Sequence, residues 1–349
     1  MVTIMNGSQE QKAPPSGGSN LWKQLLALGF AGLFLWLSFK GANFAEIWEY
    51  AKKTKPEFLF WVFATAVISH LLRAWRWIFL LKPLTSKKVS LWNSFCAVIF
   101  GYAVNIVVPR GGEVVRLISI SKSEKLPWMG VLPTMFIDRL LDIAILGGLL
   151  GMTLTLLPKQ ILEKAPMLIP GGIAITLCSI AALFVLPHLS KLIRWLVEVP
   201  FVKEKLSPQT AAMFESLARQ FGVGTKSLMD PSTYPAIAGL TVIIWLFYWL
   251  NFYCMVWAFG LESRISPLQC LVVFTIGSFG VLIPTPGNVG SFHYLVSQAL
   301  QFTCGLDASQ SLAFATVLHF FSSILAICVT AAACWIWQQT HPAKSVAAD

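Results

Sequence analysis

Ionisable side chains occur inside long apolar runs of this chain, in three groups with helical spacing. In the first group, His70, Arg73 and Arg76 recur every three residues and therefore lie near one face of a helix. Charged groups at membrane depth are costly, so they usually face the interior of a helix bundle and form a ligand pathway or an ion pair. The alternative is that both arginines lie at the membrane interface beside Trp75 and Trp77, with their side chains reaching water.

The second group surrounds a break in an apolar run. Its members are Asn105, Pro109, Arg110, Gly111, Gly112, Glu113 and Arg116. A glycine-rich break followed by a helix start presents free backbone N–H groups to an anion, and the Arg110 guanidinium can bind phosphate oxygens in a bidentate manner. Glu113 and Arg116 are three residues apart, which predicts an ion pair that holds Arg116 at the site. The alternative is a plain polar turn before an amphipathic interfacial helix.

The third group is Asp138, Arg139 and Asp142, in the middle of a long apolar helix. The two aspartates share one face and Arg139 precedes Asp142 by one turn, so the spacing predicts a local cluster of ion pairs. Two interpretations stay open: a buried salt bridge to another helix, or a substrate or proton-coupling site. Across the three groups arginines outnumber carboxylates, which suits an anionic ligand; they are Arg73, Arg76, Arg110, Arg116 and Arg139 against Glu113, Asp138 and Asp142.

A second break, rich in proline and glycine, lies in the second half of the chain. It contains Pro284, Pro286, Gly287 and Gly290. His293 follows this break, and His319 falls near Arg139 when the two halves of the chain are overlaid. A single histidine is more often a hydrogen-bonded core residue, and a role in coupling is the alternative.

The composition places these groups in a membrane protein. Of the 349 residues, 56% are hydrophobic and only 12% are charged, whereas soluble domains carry about 25% charged residues. The continuous apolar runs indicate helices and disfavour a β-barrel, whose strands alternate. Soluble enzymes, disulfide scaffolds, coiled coils and disordered proteins are excluded. The net charge of +10 is explained by basic cytoplasmic loops near anionic lipids, so we expect no nucleic-acid partner.

The seven cysteines predict neither disulfides nor a metal site. They are odd in number, form no Cys-x-x-Cys pair, and lie in or beside apolar runs, so we interpret them as small core residues. The sequence contains no His-Glu-x-x-His motif and no nucleotide-binding loop. We therefore expect no metal, no cofactor and no ATP-driven step.

These patterns predict an all-α polytopic membrane protein with about six to eight spanning helices. We expect residues 1–20 to form a disordered cytoplasmic tail, residues 21–338 the transmembrane domain, and residues 339–349 a polar C-terminal tail. Within the domain, segments 90–157 and 266–337 each combine a broken helix with a long apolar helix. Such a pair indicates an internal repeat.

The broken segments allow two topologies. As re-entrant hairpins, which we favour, they return to the side where they start, and the two repeats then have opposite orientation. As full spans, they give about eight or nine crossings. The re-entrant topology places most loop lysines and arginines on the side of the N-terminus, which makes that side cytoplasmic. The connector at residues 188–231 is amphipathic and too polar to span, so we expect it to lie at the head-group level.

The motifs are Asn-x-x-x-Pro-Arg-Gly-Gly-Glu-x-x-Arg at 105–116, Asp-Arg-x-x-Asp at 138–142 and Pro-Thr-Pro-Gly-Asn-Val-Gly at 284–290. Together they resemble the lysylphosphatidylglycerol synthase transmembrane family, also called flippase-like, over about residues 20–338. That family includes the membrane half of the multiple peptide resistance factor and many stand-alone bacterial and archaeal proteins. The resemblance implies movement of a lipid with an anionic or charged head group between the leaflets of the cytoplasmic membrane.

Two departures limit what the resemblance implies. A carboxylate commonly follows the second break in the family, and His293 lies near that position here. The sequence to Asp349 also predicts a chain without a soluble aminoacyl-transferase domain. We therefore expect translocation of a lipid without synthesis of an aminoacylated one.

The leading hypothesis is a lipid flippase of the bacterial inner membrane, not an enzyme, whose partners are lipids with an anionic, phosphate-containing head group. The expected head-group site comprises Arg73, Arg76, Asn105, Arg110, Glu113, Arg116 and Arg139, and the gates comprise Pro109, Gly111, Gly112, Pro284, Pro286, Gly287 and Gly290. Candidates for coupling or for structural ion pairs are Asp138, Asp142 and His319. Two alternatives stay open: an accessory subunit of a separate lipid or glycan synthase, and a membrane-embedded lipid-modifying enzyme.

Overall fold

A computed structural model describes residues 18–154, 168–199 and 208–340, and all regular structure in these ranges is helical. The helices are α1 Gly18–Phe39, α2 Phe44–Lys52, α3 Pro56–Leu81, α4 Leu91–Val107, α5 Gly112–Ser123, α6 Trp128–Leu154, α7 Leu168–Val185, α8 Leu189–Glu198, α9 Pro208–Gly224, α10 Tyr234–Ala258, α11 Pro267–Gly280, α12 Ser291–Cys304, α13 Ala308–His319 and α14 Ala326–Thr340. A π-helical turn, Phe320–Leu325, joins α13 to α14.

Within the described ranges, three helical segments are long and apolar enough to cross a membrane: Pro56–Leu84, Pro231–Ala258 and Ala308–Thr340. Shorter apolar helices, among them Leu91–Val107 and Pro267–Gly280, accompany them. The predicted all-α membrane fold is therefore confirmed. Of the predicted tails, α1 already includes residues 18–20 and α14 reaches Thr340, and the remainder lies outside the described residues.

The centre of the fold is an antiparallel pair formed by α3 and α10. At one end, the backbone N–H of Lys55 donates to the Ala258 carbonyl at 2.8 Å. Further along, the Asn251 amide on α10 donates to the Val62 carbonyl and to Thr65 on α3. We call the two ends of this pair the Lys55 end and the Leu81 end.

The first broken segment, residues 91–123, is a helical hairpin that opens at the Leu81 end. Its two helices, α4 and α5, cross where Gly101 meets Gly112, and a Cβ on Gly112 would collide with the Gly101 carbonyl. The two ends of the hairpin also meet, because the Glu124 carboxylate accepts from the Ser90 backbone N–H and from the Asn93 side chain. The segment therefore returns to the end where it begins.

The second broken segment, residues 267–304, is a hairpin that opens at the Lys55 end. Here Gln269, near the start of α11, donates to the Thr303 carbonyl near the end of α12 at 3.1 Å. The tips of the two hairpins touch inside the molecule, since a Cβ on Gly287 would lie 3.4 Å from the Ile106 carbonyl oxygen. The two hairpins thus enter from opposite ends, which is the arrangement of the re-entrant alternative.

The connector differs from the surface helix that the sequence predicts. Helix α9 packs against α6 and α8, and Ala218 and Phe221 on it are buried. A Cβ on Gly224 would collide with the Gly130 carbonyl of α6, so these two glycines let the helices approach closely. Only part of the connector, including Trp195 and Met213, is exposed.

The seven cysteines are free and fall into three environments, of which the intermediate one holds Cys254 and Cys304. Cys96, Cys270 and Cys334 are buried, as the sequence predicts. Cys178 and Cys328 are exposed, so the interpretation of all seven as core residues is wrong. The outer face of a membrane protein meets lipid, and an apolar thiol is tolerated there as well as in the core.

Candidate functional site

Two aspartates of α6 meet two arginines of α3 in the interior. Arg73 and Arg76 are buried, with 3% and 0% of their surface exposed, and Asp138 is fully buried. Each arginine contacts both carboxylates: Arg73 lies 3.0 Å from Asp138 and 2.5 Å from Asp142, and Arg76 lies 2.6 Å from Asp138 and 2.8 Å from Asp142. The interfacial interpretation of Arg73 and Arg76 is therefore wrong, because ion pairs in the core hold both side chains.

Helix α10 completes the polar shell of these ion pairs. Arg76 donates to the Thr241 hydroxyl at 3.0 Å, and Arg73 donates to the Tyr248 hydroxyl at 3.2 Å. At a rise of about 1.5 Å per residue, Arg73 lies about 12 Å along α3 from the Leu81 end. The charges are thus well inside the helix bundle.

Arg116 joins the same site from the first hairpin. Its Nη1 lies 3.1 Å from the Asp138 carboxylate, and its guanidinium lies 3.9 Å from the centre of the Trp77 ring. Trp77 is itself held by a hydrogen bond from its indole N–H to Thr134 at 2.9 Å. The Nε and Nη2 atoms of Arg116 are buried and have no hydrogen-bond partner among the described residues.

We call Arg73, Arg76, Arg116, Asp138 and Asp142 the ion cluster. Three arginines face two aspartates here, so the cluster carries one positive charge in excess. The excess belongs to the arginine with the unpaired N–H groups. Unsatisfied charged donors in a dry interior are strongly unfavourable, and a bound anion would relieve that cost.

Glu113 and Arg139 form an ion pair of their own at the edge of the site. Their side chains are about one third exposed, at 36% and 39% respectively. The sequence predicts instead that Glu113 pairs with Arg116 and that Arg139 belongs to a local cluster with Asp142, and both predictions are wrong. Gly112, Arg116 and Ile120 lie along the buried face of α5, which directs Arg116 inward and leaves Glu113 at the edge.

The tip of the first hairpin stands apart from the ion cluster. The Asn105 side-chain oxygen accepts from the Gly112 N–H at 2.9 Å and so caps the start of α5. Arg110, between Pro109 and Gly111, is exposed, has a positive φ of 60°, and forms no hydrogen bond or ion pair with the described residues. The structure therefore does not bring Arg110 together with the other arginines.

The tip of the second hairpin is held by two buried histidines. The Nε2 of His319 donates to the Gly287 carbonyl at 2.7 Å, and the Gly290 N–H donates to Nδ1 of His293 at 3.3 Å. Their ring centres are 4.8 Å apart. Pro284 and Pro286 flank the turn, which requires positive φ at both Gly287 and Gly290.

Sequence reasoning missed several side chains of the site. His70 was singled out, and it stacks on Tyr102 at 4.8 Å with a buried, unbonded Nδ1. The sequence patterns did not assign four further side chains to the site: Trp77, Thr134, Thr241 and Tyr248. Trp77 directly follows Arg76, but an interfacial tryptophan and a buried one look the same in sequence. In residues 18–154, 168–199 and 208–340, no cluster of histidine, cysteine and acidic side chains could hold a metal ion.

Comparison with known proteins agrees with this architecture. A family model, the lysylphosphatidylglycerol synthase TM region, matches residues 24–330. A UPF0104 membrane protein of Methanocaldococcus jannaschii is 27% identical over 124 residues, which is 35% of this chain and 36% of the relative. The match thus spans about a third of that protein's length. No solved structure matches the chain.

The family match covers most of the chain, including both hairpins, the ion cluster and both central helices. The resemblance carried by the three sequence motifs is therefore confirmed. The chain belongs to the lysylphosphatidylglycerol synthase transmembrane-region family.

Proposed function

We propose that this chain is a transporter that moves a lipid with an anionic, phosphate-containing head group between membrane leaflets. The observation that carries the proposal is the free edge of Arg116. Its Nε and Nη2 atoms are buried, and no residue in the described part of the chain bonds them. These two atoms form the two-donor edge of the guanidinium that binds a phosphate in a bidentate manner.

The charge of the ion cluster supports a ligand with a single negative charge. Three arginines and two aspartates leave one positive charge, which one phosphodiester would balance. The Glu113–Arg139 pair is already neutral and lies at the exposed edge. In this proposal a head group contacts the Glu113–Arg139 pair first and Arg116 second.

Trp77 supports the same proposal, because it fixes Arg116 without using any of its N–H groups. An indole face attracts a guanidinium through the ring quadrupole, and Trp77 is held in turn by Thr134. Arg116 is therefore positioned by stacking and by one ion pair, which leaves two donors for a ligand.

The two hairpins support a transport role. They enter from opposite ends and their tips touch at Ile106 and Gly287. Paired broken helices of opposite orientation are typical of transporters in which the substrate site is exposed alternately to each side. The acyl or isoprenoid chains of the lipid would stay in the bilayer while the head group passes between the hairpins.

The distribution of charge supports a cytoplasmic location for the Leu81 end and for the N-terminus, in a bacterial inner membrane. Basic side chains exceed acidic ones at that end: Lys82, Lys87, Lys88, Lys122, Lys125 and Lys226 against Glu124 and Asp230. At the Lys55 end the two signs are balanced: Lys40, Lys52, Lys53, Lys55 and Arg264 against Glu46, Glu49, Glu57, Glu262 and Asp307. Cytoplasmic loops carry the basic excess in membrane proteins.

A scrambling assay tests the proposal. The purified chain is placed in liposomes that contain phosphatidylglycerol with a fluorescent head group, and dithionite is added outside to quench the accessible label. We expect wild-type protein to expose the inner-leaflet label, and Arg116→Lys to slow this at least about tenfold, because lysine keeps the charge but loses the two-donor edge. Arg219→Gln, on the exposed side of α9, is the matched control and should transport normally.

Three outcomes would contradict the proposal or one of its parts. Protection of the inner-leaflet label by folded wild-type protein, for both phosphatidylglycerol and a polyprenyl phosphate, would remove the transport function. Normal transport by a folded Arg116→Lys variant would remove Arg116 from the head-group site. A zwitterionic phosphatidylcholine probe, moved as fast as the anionic lipid, would contradict selectivity for anionic head groups.

A further inference from the structure

Two buried histidines hydrogen-bond the backbone of the second hairpin's tip, His319 from outside the hairpin and His293 from within it. His319 on α13 donates to the Gly287 carbonyl, and the Gly290 N–H donates to His293 on α12. His293 and His319 are 6% and 4% exposed. The backbone of the tip is thus held by two side chains that can each gain a proton.

These contacts fix where each ring carries its hydrogen. A carbonyl only accepts, so Nε2 of His319 bears a hydrogen, and its Nδ1 is the atom that a second proton would occupy. Nδ1 of His293 accepts from a backbone N–H, so the hydrogen of the neutral His293 ring is on Nε2. A proton added to His293 must therefore bind Nδ1, where it removes the acceptor and points a donor at the Gly290 N–H.

No counter-charge stabilises a protonated ring at this place. In the described part of the chain, no carboxylate, lysine or arginine forms a hydrogen bond or ion pair with His293 or His319. Titratable groups on the elements packed around the pair contact other residues. The ring of Tyr294 contacts Phe34, the ring of Tyr102 contacts His70, and the Tyr248 hydroxyl accepts from Arg73. Tyr50 donates to Asp307, Lys40 lies over Trp36, and Lys52 pairs with Glu49. Two rings whose centres are 4.8 Å apart also repel each other if both are charged.

We propose that His293 and His319 form a proton-binding site, and that protonation of His293 releases the backbone of the second hairpin's tip at Gly290, where helix α12 begins. The held tip requires a neutral His293, so a proton binds better to the released state. By linkage, lowering the pH shifts the population toward the released tip. This inference concerns the conformation of the tip and does not require that the chain moves lipid; if it does, transport responds to protons.

Hydrogen exchange of the full chain in lipid nanodiscs tests the proposal. Peptides that cover residues 281–293 are compared at about pH 8 and about pH 5, after correction for the intrinsic pH dependence of exchange. We expect several-fold faster exchange of the second tip at the lower pH. The first tip, at residues 105–112, is the internal control, because its cap is a hydrogen bond from the Gly112 N–H to the Asn105 side chain, and neither group titrates.

Two variants separate the histidines. Asn at position 293 offers an Oδ1 acceptor to Gly290 and does not titrate, so His293→Asn should abolish the response to pH. Gln at position 319 keeps an N–H donor for Gly287, so His319→Gln should retain the response. A wild-type tip whose exchange does not change with pH, or a His293→Asn variant that still responds, would overturn the proposal.

A measurement on the wild-type chain covers the case in which a variant fails to fold. Nitrogen spectra of histidine-labelled protein distinguish a ring with one hydrogen from a ring with two, and the chain has only five histidines. We expect one buried histidine to become doubly protonated between about pH 8 and about pH 5, together with the change in exchange. If every buried ring stays neutral over that range, the site does not bind protons.

Discussion

The two hairpin tips meet inside the molecule, yet opposite kinds of chemistry hold them. The first hairpin is tied to the helix bundle by Arg116, which contacts Asp138 and Trp77. The second is tied to α13 by His319, which donates to the Gly287 carbonyl, and is capped within itself by His293, which accepts from the Gly290 N–H. The charged contact of Arg116 is retained at any pH near neutrality, whereas the cap at Gly290 is retained only while His293 is unprotonated. The two hairpins, which have similar backbones in opposite orientation, can thus respond differently to the same change of pH.

The largest expected effect lies at the anchor of the first hairpin. Asp138→Asn removes the carboxylate that contacts three buried arginines, and breaking a buried ion pair typically costs about 3–5 kcal/mol. We expect a large fall in the temperature of unfolding in detergent, or a loss of monodisperse protein. His319→Gln, the matched change at the second hairpin, keeps a donor and should cost less than about 1.5 kcal/mol. Equal losses in the two variants would contradict the contrast between the tips.

The next effect concerns how closely the helices of the first hairpin approach. Gly112→Ala places a Cβ against the Gly101 carbonyl, which cannot move aside, and overpacking of this kind costs about 1–3 kcal/mol. Gly148→Ala on α6 is the control, because nothing lies within 4 Å of a Cβ there. Thermal unfolding should separate the two variants, and Gly112→Ala should also loosen the contact of Arg116 with Asp138. If the two alanine variants unfold alike, the close crossing does not determine the hairpin's stability.

The smallest effect is expected at the partly exposed pair. Glu113→Gln removes its ion pair with Arg139, but water screens charges that are about one third exposed. Such pairs contribute about 0–1 kcal/mol, so the free energy of unfolding should change by less than about 1 kcal/mol. A loss as large as that of Asp138→Asn would show that the pair is part of the structural anchor and not of an entrance to the site.

Composition and spacing identify the fold class and most members of the ion cluster, because charges in apolar helices must face inward. They do not identify the partners. Arg73 and Asp138 are 65 residues apart, and only the packing of α3 against α6 brings them together. The predicted local pair of Glu113 and Arg116 does not form, because both side chains instead pair with residues of α6, namely Arg139 and Asp138. Both topologies of the broken segments fit the sequence, and the contact between the hairpin ends depends on the folded backbone.

The π-helical turn at Phe320–Leu325 divides the helical segment at residues 308–340 into two parts. A π turn replaces the regular i to i+4 hydrogen bonds and so weakens the coupling between the two halves of a helix. One half, α13, packs against α12 of the second hairpin, and the other half, α14, packs against α4 of the first. A change of angle at this turn, beside His319, would therefore change the orientation of the two hairpins relative to each other.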